Sequence, residues 1–359
     1  MAGFDRTCPD ICSKHSQLAE EVIAIEVEHG CGEAYLVRHS PATGRADKRR
    51  AVAARMMHLL AQVAGMLGVL CSLLACTPAA VRVDRQAAEL GLTRRIVQGE
   101  GFAHVVYEKA GGTRASALHV YLEGDGTPWI RERWIATDPT PRNPLMLRLM
   151  ALDPGERVYL GRPCYHGLAA MPSCTPELWT FGRYSAPVVD SMVTAVRKLL
   201  AERGNPALYL FGHSGGGTLA MLLAERLANT RAVVTLAGNL DIEAWARHHH
   251  YTPLVGSLNP AHRPPLAPTV QQLHLVGTDD RLIPPALADG AVARRANSRV
   301  VTIKDFTHTC CWEAVWPAVL EWVRSPTDAP SLLRPLSEGR SAFSEESLVH
   351  PGKAQGWIH

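Results

Sequence analysis

One serine stands among small residues in Gly212-His213-Ser214-Gly215-Gly216. The apolar run "ALYLF" precedes it and "TLAMLLAERL" follows it, so Ser214 sits where a strand turns into a helix. A hydroxyl held at such a bend can act as a nucleophile. Glycines at 212 and 215 remove side-chain bulk from a backbone that must turn sharply. A helix starting at Gly215 would aim free N–H groups, and its dipole, at the point where an oxyanion develops. The alternatives are a plain glycine-rich turn or a phosphate cradle. A phosphate cradle would call for Gly-Lys-Ser/Thr after the glycines, and that triplet is absent.

A serine hydroxyl is a poor nucleophile at neutral pH without a base, and the base needs a carboxylate to orient it. "LVGTDDRLIPP" places Asp279 and Asp280 just past one strand end, and "DFTHTCCW" places His308 just past the next. The chain has 16 histidines, most of which must be bland. His213 is expected to pack under the bend, and His248, His249 and His250 to form an exposed polar run. His274 falls inside a strand. His308 is preferred because it comes just past the last strand, at the sheet edge where sites of this kind form.

The elements that must position these residues begin at residue 94. "RIVQGEGF", "AHVVYEKA" and "ALHVYLEG" read as strands, followed by "RVYLG", "ALYLFG", "AVVTLAG", "QLHLVG" and "SRVVTIKD". Helical spacing appears in "PLMLRLMAL", "SAPVVDSMVTAVRKLLAERG", the segment from Gly215 to about Asn229, "PPALADGAVARRA" and "CCWEAVWPAVLEWVR". Continuous apolar strands alternating with helices predict an α/β fold. Its mostly parallel, doubly wound, eight-stranded sheet would carry helices on both faces. Two irregular excursions, Pro163–Tyr184 and Asn239–Pro268, interrupt the alternation and are expected to frame the site. Trp129, Trp134, Trp179 and Trp245 are candidates to line it, with a surface or core role as the default for each.

The order Ser214, acid, His308, with the serine in a strand–turn–helix bend, resembles the α/β-hydrolase superfamily over roughly residues 94–324. The resemblance implies a serine esterase- or lipase-like enzyme. In that family the acid sits in a Gly-x-x-Asp pattern followed by a hydrophobic pair and proline. Gly277 to Pro284 matches with Asp280 as the acid, which leaves Asp279 as a turn residue. Asp241 is the backup, because some relatives supply their acid after the preceding strand. The family's oxyanion hole takes a second N–H from the loop after the third strand. "LEGDG" occupies that place and resembles the family's His-Gly-Gly-Gly loop, with Glu123 where histidine would stand. Gly124 or Asp125 would supply that N–H, with Gly215 as its partner. The side chains of Glu123 and Asp125 are expected to be held by hydrogen bonds away from the oxyanion.

Residues 59–75, "LLAQVAGMLGVLCSLLA", are apolar and uncharged, and Lys48, Arg49, Arg50 and Arg55 precede them. That order describes a secretory signal. Leu73-Leu74-Ala75-Cys76 resembles the lipobox of bacterial lipoproteins, which implies lipidation of Cys76. The expected location is the bacterial cell envelope, periplasmic or surface-facing. An uncleaved anchor is the second reading and a core helix the third. Signals are N-terminal, so residues 1–55 read as an extension or a mis-assigned start, with Val52, Met56 or Met57 as alternatives. The expected organisation is an extension over 1–55, a signal over 56–76, a linker over 77–93, the hydrolase domain over 94–325 and a loose tail over 326–359.

Nine cysteines are present. Cys8 and Cys12 have no second pair at ligand spacing, which argues against zinc. Export would permit disulfides. Cys164, Cys174, Cys310 and Cys311 allow three pairings, and Cys164 with Cys174 is the first choice to staple the first excursion. Free buried thiols are the alternative.

With 47% hydrophobic and 20% charged residues, the 359-residue chain can bury a full core. A net charge of +3 gives no reason to expect nucleic acid. The expected reaction is hydrolysis of carboxylic esters through an acyl-enzyme, on a small-molecule or lipid acyl substrate, without metal or organic cofactor. A catalytically idle binding module and an acyltransferase are the competing readings.

Overall fold

The computed structural model describes residues 55–63, 77–109, 115–292 and 297–325. The chain divides into two units, Met1–Thr77 and Pro78–His359. In the first unit, residues 55–63 form an exposed helix, α1. The rest of that unit up to residue 76, including Cys76 and most of the candidate signal, lies outside the described residues, as does the tail after residue 325. Among the described residues no helix is long and apolar enough to cross a membrane.

The second unit is built on an eight-stranded sheet. Its strands are β1 (Thr93–Gln98), β2 (Ala103–Glu108), β3 (Ala117–Leu122), β6 (Arg157–Leu160), β7 (Ala207–His213), β8 (Thr230–Leu236), β9 (Gln271–Gly277) and β10 (Ser298–Ile303). Their order is β1-β2-β6-β3-β7-β8-β9-β10. β2 runs antiparallel to both of its neighbours, and every pairing from β6 to β10 is parallel. The predicted eight-stranded, mostly parallel sheet is therefore present, and the arrangement is the α/β-hydrolase fold.

Period-two alternation explains why helices cover both faces. In β7, Leu208 and Leu210 join one buried layer, and Phe211 joins the other with Tyr209 packed against it. The first layer contains α4 (Ala186–Glu202) and α5 (Gly215–Ala224); the second contains α3 (Leu145–Ala151) and α8 (Trp312–Arg324). All ten residues of α5 are buried, so this helix lacks a solvent face and its start is fixed from every side.

Four differences from expectation appear. The segment 77–93, expected as a linker, forms helix α2 (Ala79–Glu89). Val83 and Ala87 bury its inner face, and Gly91, at φ +70°, ends it. Helix α5 stops at Ala224 rather than near Asn229, because tight turns at Arg226 and Thr230 feed the chain into β8. The second excursion contains helix α6 (Ile242–His249), capped by Asp241. A small hairpin pairs β4 (Trp129–Ile130) with β5 (Trp134–Ile135). The remaining helix, α7 (Pro285–Val292), lies between β9 and β10.

Candidate active site

Ser214 joins β7 to α5 with φ 52° and ψ −120°, left-handed backbone that a side chain rarely adopts. Its N–H donates to the Leu236 carbonyl at 2.9 Å, and its own carbonyl accepts from Gly217 and Asn239. The glycines around it are contact requirements. A Cβ on Gly212 would lie 2.3 Å from the Gly216 carbonyl oxygen, and one on Gly216 would lie 2.1 Å from that of Leu122. The bend is therefore pressed against the end of β3, and the hydroxyl is presented above the sheet.

His308 follows β10. Its Nδ1–H donates to Asp280 Oδ2 at 2.9 Å, which leaves Nε2 as the lone-pair nitrogen. Asp280 has a fully buried side chain. Its Oδ1 accepts from the amides of Leu282 and Ile283, both at 2.8 Å, so the carboxylate cannot swing away from the ring. Burial lowers the pKa of His308, and the nearby His213 pushes the same way, against the raising effect of the Asp280 hydrogen bond. His213 Nε2–H donates to the His308 carbonyl at 2.8 Å, and Trp312 Nε1–H donates to the same oxygen at 3.1 Å. Thus His213 sits under the bend as expected, and it also fixes the backbone of His308.

The loop after β3 forms the opposite wall. Glu123 Oε2 accepts from the Met146 amide at 2.9 Å, and its Oε1 accepts from the Gly124 amide at 3.2 Å. The Asp125 carboxylate lies between Arg162 Nη1 and Arg183 Nη1, both at 2.8 Å, and accepts from the Tyr184 hydroxyl at 2.7 Å. Burial alone would raise its pKa, but the two guanidinium groups and the hydroxyl hold it down to about 2. Both expected side-chain tethers exist, and they separate the two candidate donors. The Gly124 amide is already given to Glu123, whereas the amides of Asp125 and Gly215 meet no acceptor among the described residues. A Cβ on Gly215 would fall 2.0 Å from Asp125 Oδ1, so these two residues are in direct contact.

A cleft of about 350 Å³ brings Ser214, His308, Gly124 and Asp125 together. Trp245, Leu282, Ile283, Arg142, Asn143 and Arg183 also line it. Among the described residues no hydrogen bond joins Ser214 to His308; catalytic bonds often tighten only when substrate binds.

The other candidates fall elsewhere. Asp279 takes the Thr278 hydroxyl at 3.1 Å, in the turn. Asp241 caps α6 through the amides of Glu243 and Ala244 and holds Asn259. The expected exposed run at His248–His250 is only partly so, because His249 Nε2–H reaches the Leu282 carbonyl at 2.8 Å in the acid loop. His274 is buried in β9 against Thr235. Of the four tryptophans only Trp245 lines the cleft: Trp129 packs on Phe181, Trp134 is exposed, and Trp179 is buried with its indole N–H on the Ala136 carbonyl. Cys164 is bonded to Cys174 in the first excursion, and Cys310 to Cys311 just after His308. The arginines around Asp125 were not among the expected site residues. Their only sequence signal is position, since Arg162 follows β6 and Arg183 ends the first excursion.

A second serine–histidine pair lies away from the cleft. His104 Nδ1–H donates to the Gly161 carbonyl, and Nε2 accepts from Ser191 at 2.8 Å. Both residues are fully buried, and burial pushes the pKa of His104 down to about 4. With no carboxylate partner and no route for substrate, this pair is a core hydrogen bond.

No protein-family model and no curated protein matches the chain. Solved structures do resemble it. An alpha-beta serine hydrolase homologue from Coxiella burnetii is 11% identical, with a TM-score of 0.42 over 66% of this chain and 97% of that one. A cold-adapted esterase from an Arctic intertidal metagenomic library is 12% identical, with a TM-score of 0.44 over 65% and 94%. The Pyrococcus horikoshii acylaminoacyl peptidase is 11% identical, with a TM-score of 0.48 over 68% and 44%. Likeness at this level carries no inference about activity.

The charge balance around Asp125 has a measurable consequence. Arg162 and Arg183 have only 5% and 8% of their side chains exposed. Asp125→Asn leaves two buried cations without a counter-charge and is expected to cost about 3 kcal/mol in urea unfolding. In the wild type this carboxylate stabilises the fold above pH 4. That contribution fades as pH falls towards about 2, because the folded pKa lies below the unfolded value of 3.8. An unchanged unfolding midpoint in the variant would contradict the assignment.

Proposed function

We propose that the protein is a serine hydrolase acting on carboxylic esters, with Ser214 as nucleophile, His308 as base and Asp280 as the residue that orients it. One observation carries the reading. A serine strained onto the N-terminus of a buried helix shares a cleft with a histidine whose other nitrogen is fixed by a buried carboxylate.

In this reading Ser214 Oγ attacks the acyl carbonyl carbon, and His308 Nε2 takes the hydroxyl proton. The oxyanion accepts from the amides of Gly215 and Asp125. Collapse breaks the bond to the leaving oxygen, which takes the proton from His308. Water then attacks the acyl-enzyme, giving a proton to His308; collapse breaks the bond to Ser214 Oγ, which takes that proton back, and releases the acid. The triad serves thioesters, amides and acyl transfer as well, so an added alcohol acceptor tests whether water or alcohol takes the acyl group.

A fluorophosphonate probe should label the wild type, with labelling and p-nitrophenyl ester turnover both lost in Ser214→Ala. Failure to label the folded wild type would favour the idle binding module. The pH profile provides a second test. His308 must be neutral to accept a proton, and its pKa is lowered from 6.5. The acid limb of kcat/KM is therefore expected below pH 6.5, with activity falling as pH drops through it. A limb above pH 6.5 would contradict this role.

Export and a lipid anchor at Cys76 complete the proposal. The apolar segment ending in Leu-Leu-Ala-Cys supports it, and the two disulfides fit an oxidising compartment. Cells fed labelled palmitate should incorporate label into the wild type and not into Cys76→Ser; an unlabelled wild type would rule out the anchor.

A further inference from the structure

The cationic rim of the cleft has no counterpart in the triad mechanism. Three guanidinium groups, those of Arg142, Arg162 and Arg183, stand in or directly behind the wall formed by the loop after β3. Two carboxylates, Asp125 and Glu123, stand with them. Asp125 is shared between Arg162 and Arg183, and Glu123 is spent on the amides of Met146 and Gly124, facing His213 Nδ1 at 3.6 Å. Three against two leaves one positive charge over on this wall. The charge of Asp280 does not cancel it locally, because that carboxylate is buried behind the His308 ring and held there by two amides.

The surplus sits at the mouth. Arg142 is exposed on the rim and has no acceptor among the described residues. Arg183 gives Nε to the Thr180 carbonyl and Nη1 to Asp125, leaving its Nη2 edge without an acceptor among them. Its guanidinium plane is held by these two bonds, so the open edge is preorganised. Apolar side chains, those of Trp245, Leu282 and Ile283, line the same cleft. A substrate in the cleft with Ser214 would meet both hydrocarbon and unspent guanidinium donors.

Resting on the hydrolase reading, we propose that the preferred substrates are esters carrying an anionic group, a carboxylate above all, on the part that lies against Arg142 and Arg183, with an apolar part against Trp245. Guanidinium donors bind carboxylates in paired, charge-assisted hydrogen bonds, and salt screens such a contact less in a partly enclosed cleft than on an open surface.

Two matched pairs of substrates test this. p-Nitrophenyl hemisuccinate against p-nitrophenyl butyrate places the charge on the acyl side. 4-Butyryloxybenzoate against phenyl butyrate places it on the alcohol side. In the wild type at low ionic strength, kcat/KM should favour the anionic member of at least one pair by about tenfold, the effect of a charge-assisted contact. The preference should fall at least fivefold in Arg142→Gln and be partly kept in Arg142→Lys. It should be unchanged in Arg231→Gln, at the N-terminal end of β8. Loss of Ser214 labelling by the fluorophosphonate probe would overturn the hydrolase reading. Intact labelling and turnover, with no anionic preference in either pair or with a preference that Arg142→Gln leaves untouched, would overturn this inference alone.

Discussion

The site depends on how closely the first turn of α5 approaches the end of β3. The position of a Cβ on Gly216 falls on the Leu122 carbonyl, and that of a Cβ on Gly215 falls on the Asp125 carboxylate. Only a helix that begins with glycines can come that near. The approach brings Gly215 against Asp125, 90 residues away in sequence, and the amides of both meet no acceptor among the described residues. It also forces Ser214 into left-handed backbone, a strain of about 1–3 kcal/mol. The ten buried residues of α5 and the parallel pairing of β7 with β3 and β8 hold that strain in place. Core packing and site geometry are therefore one constraint.

The same contact creates an electrostatic problem, and the surrounding charges answer it. A carboxylate against Gly215 would repel an oxyanion forming beside it. Arg162, Arg183 and Tyr184 take up both of its oxygens from behind. The group then acts as a tether that fixes the loop after β3 against the two arginines, while the paired cations more than balance its charge. Glu123 is handled differently: it spends its oxygens on backbone amides, at the cost of the Gly124 donor. The contrast between His308 and His104 follows the same logic. Each bonds a partner through one ring nitrogen. His308 has a buried carboxylate behind it and a cleft in front, whereas His104 has a carbonyl behind it and a sealed core in front. Environment, and not the residue pair, separates a candidate base from a structural histidine.

Parallel strands buried on both faces are continuous apolar runs, which made β3, β6, β7, β8 and β9 legible in the sequence. The serine, the acid and the histidine were legible because each follows a strand directly, where topology fixes the edge they reach. Helix α6 was hidden because it buries only Ile242 and Ala246, too sparse a stripe among "EAWARHH" to register as amphipathic. Helix α2 carries a usable pattern at Ala80, Val83 and Ala87, but it directly follows the apolar segment and reads as a continuation of a linker. The arginine cluster left no trace beyond the positions of Arg162 and Arg183 at element ends. Its pairs join the ends of different elements, and charge pairing across a fold has no local spacing to detect.

The chemistry and the selectivity of the cleft thus come from different parts of the chain. Strand ends supply Ser214, Asp280 and His308, whose places the sheet dictates. Irregular segments supply the walls: the loop after β3 brings Asp125, the segment before α3 brings Arg142, the first excursion brings Arg183, and α6 in the second excursion brings Trp245. Cys164–Cys174 closes the first excursion into a loop, and Trp179 anchors it to the Ala136 carbonyl, so the segment carrying Arg183 is tied at two points. His249 in turn ties α6 to the Leu282 carbonyl in the acid loop. Segments with little regular structure are normally the mobile parts of a fold. Here each excursion is tied down, the first by its disulfide and Trp179 and the second by His249.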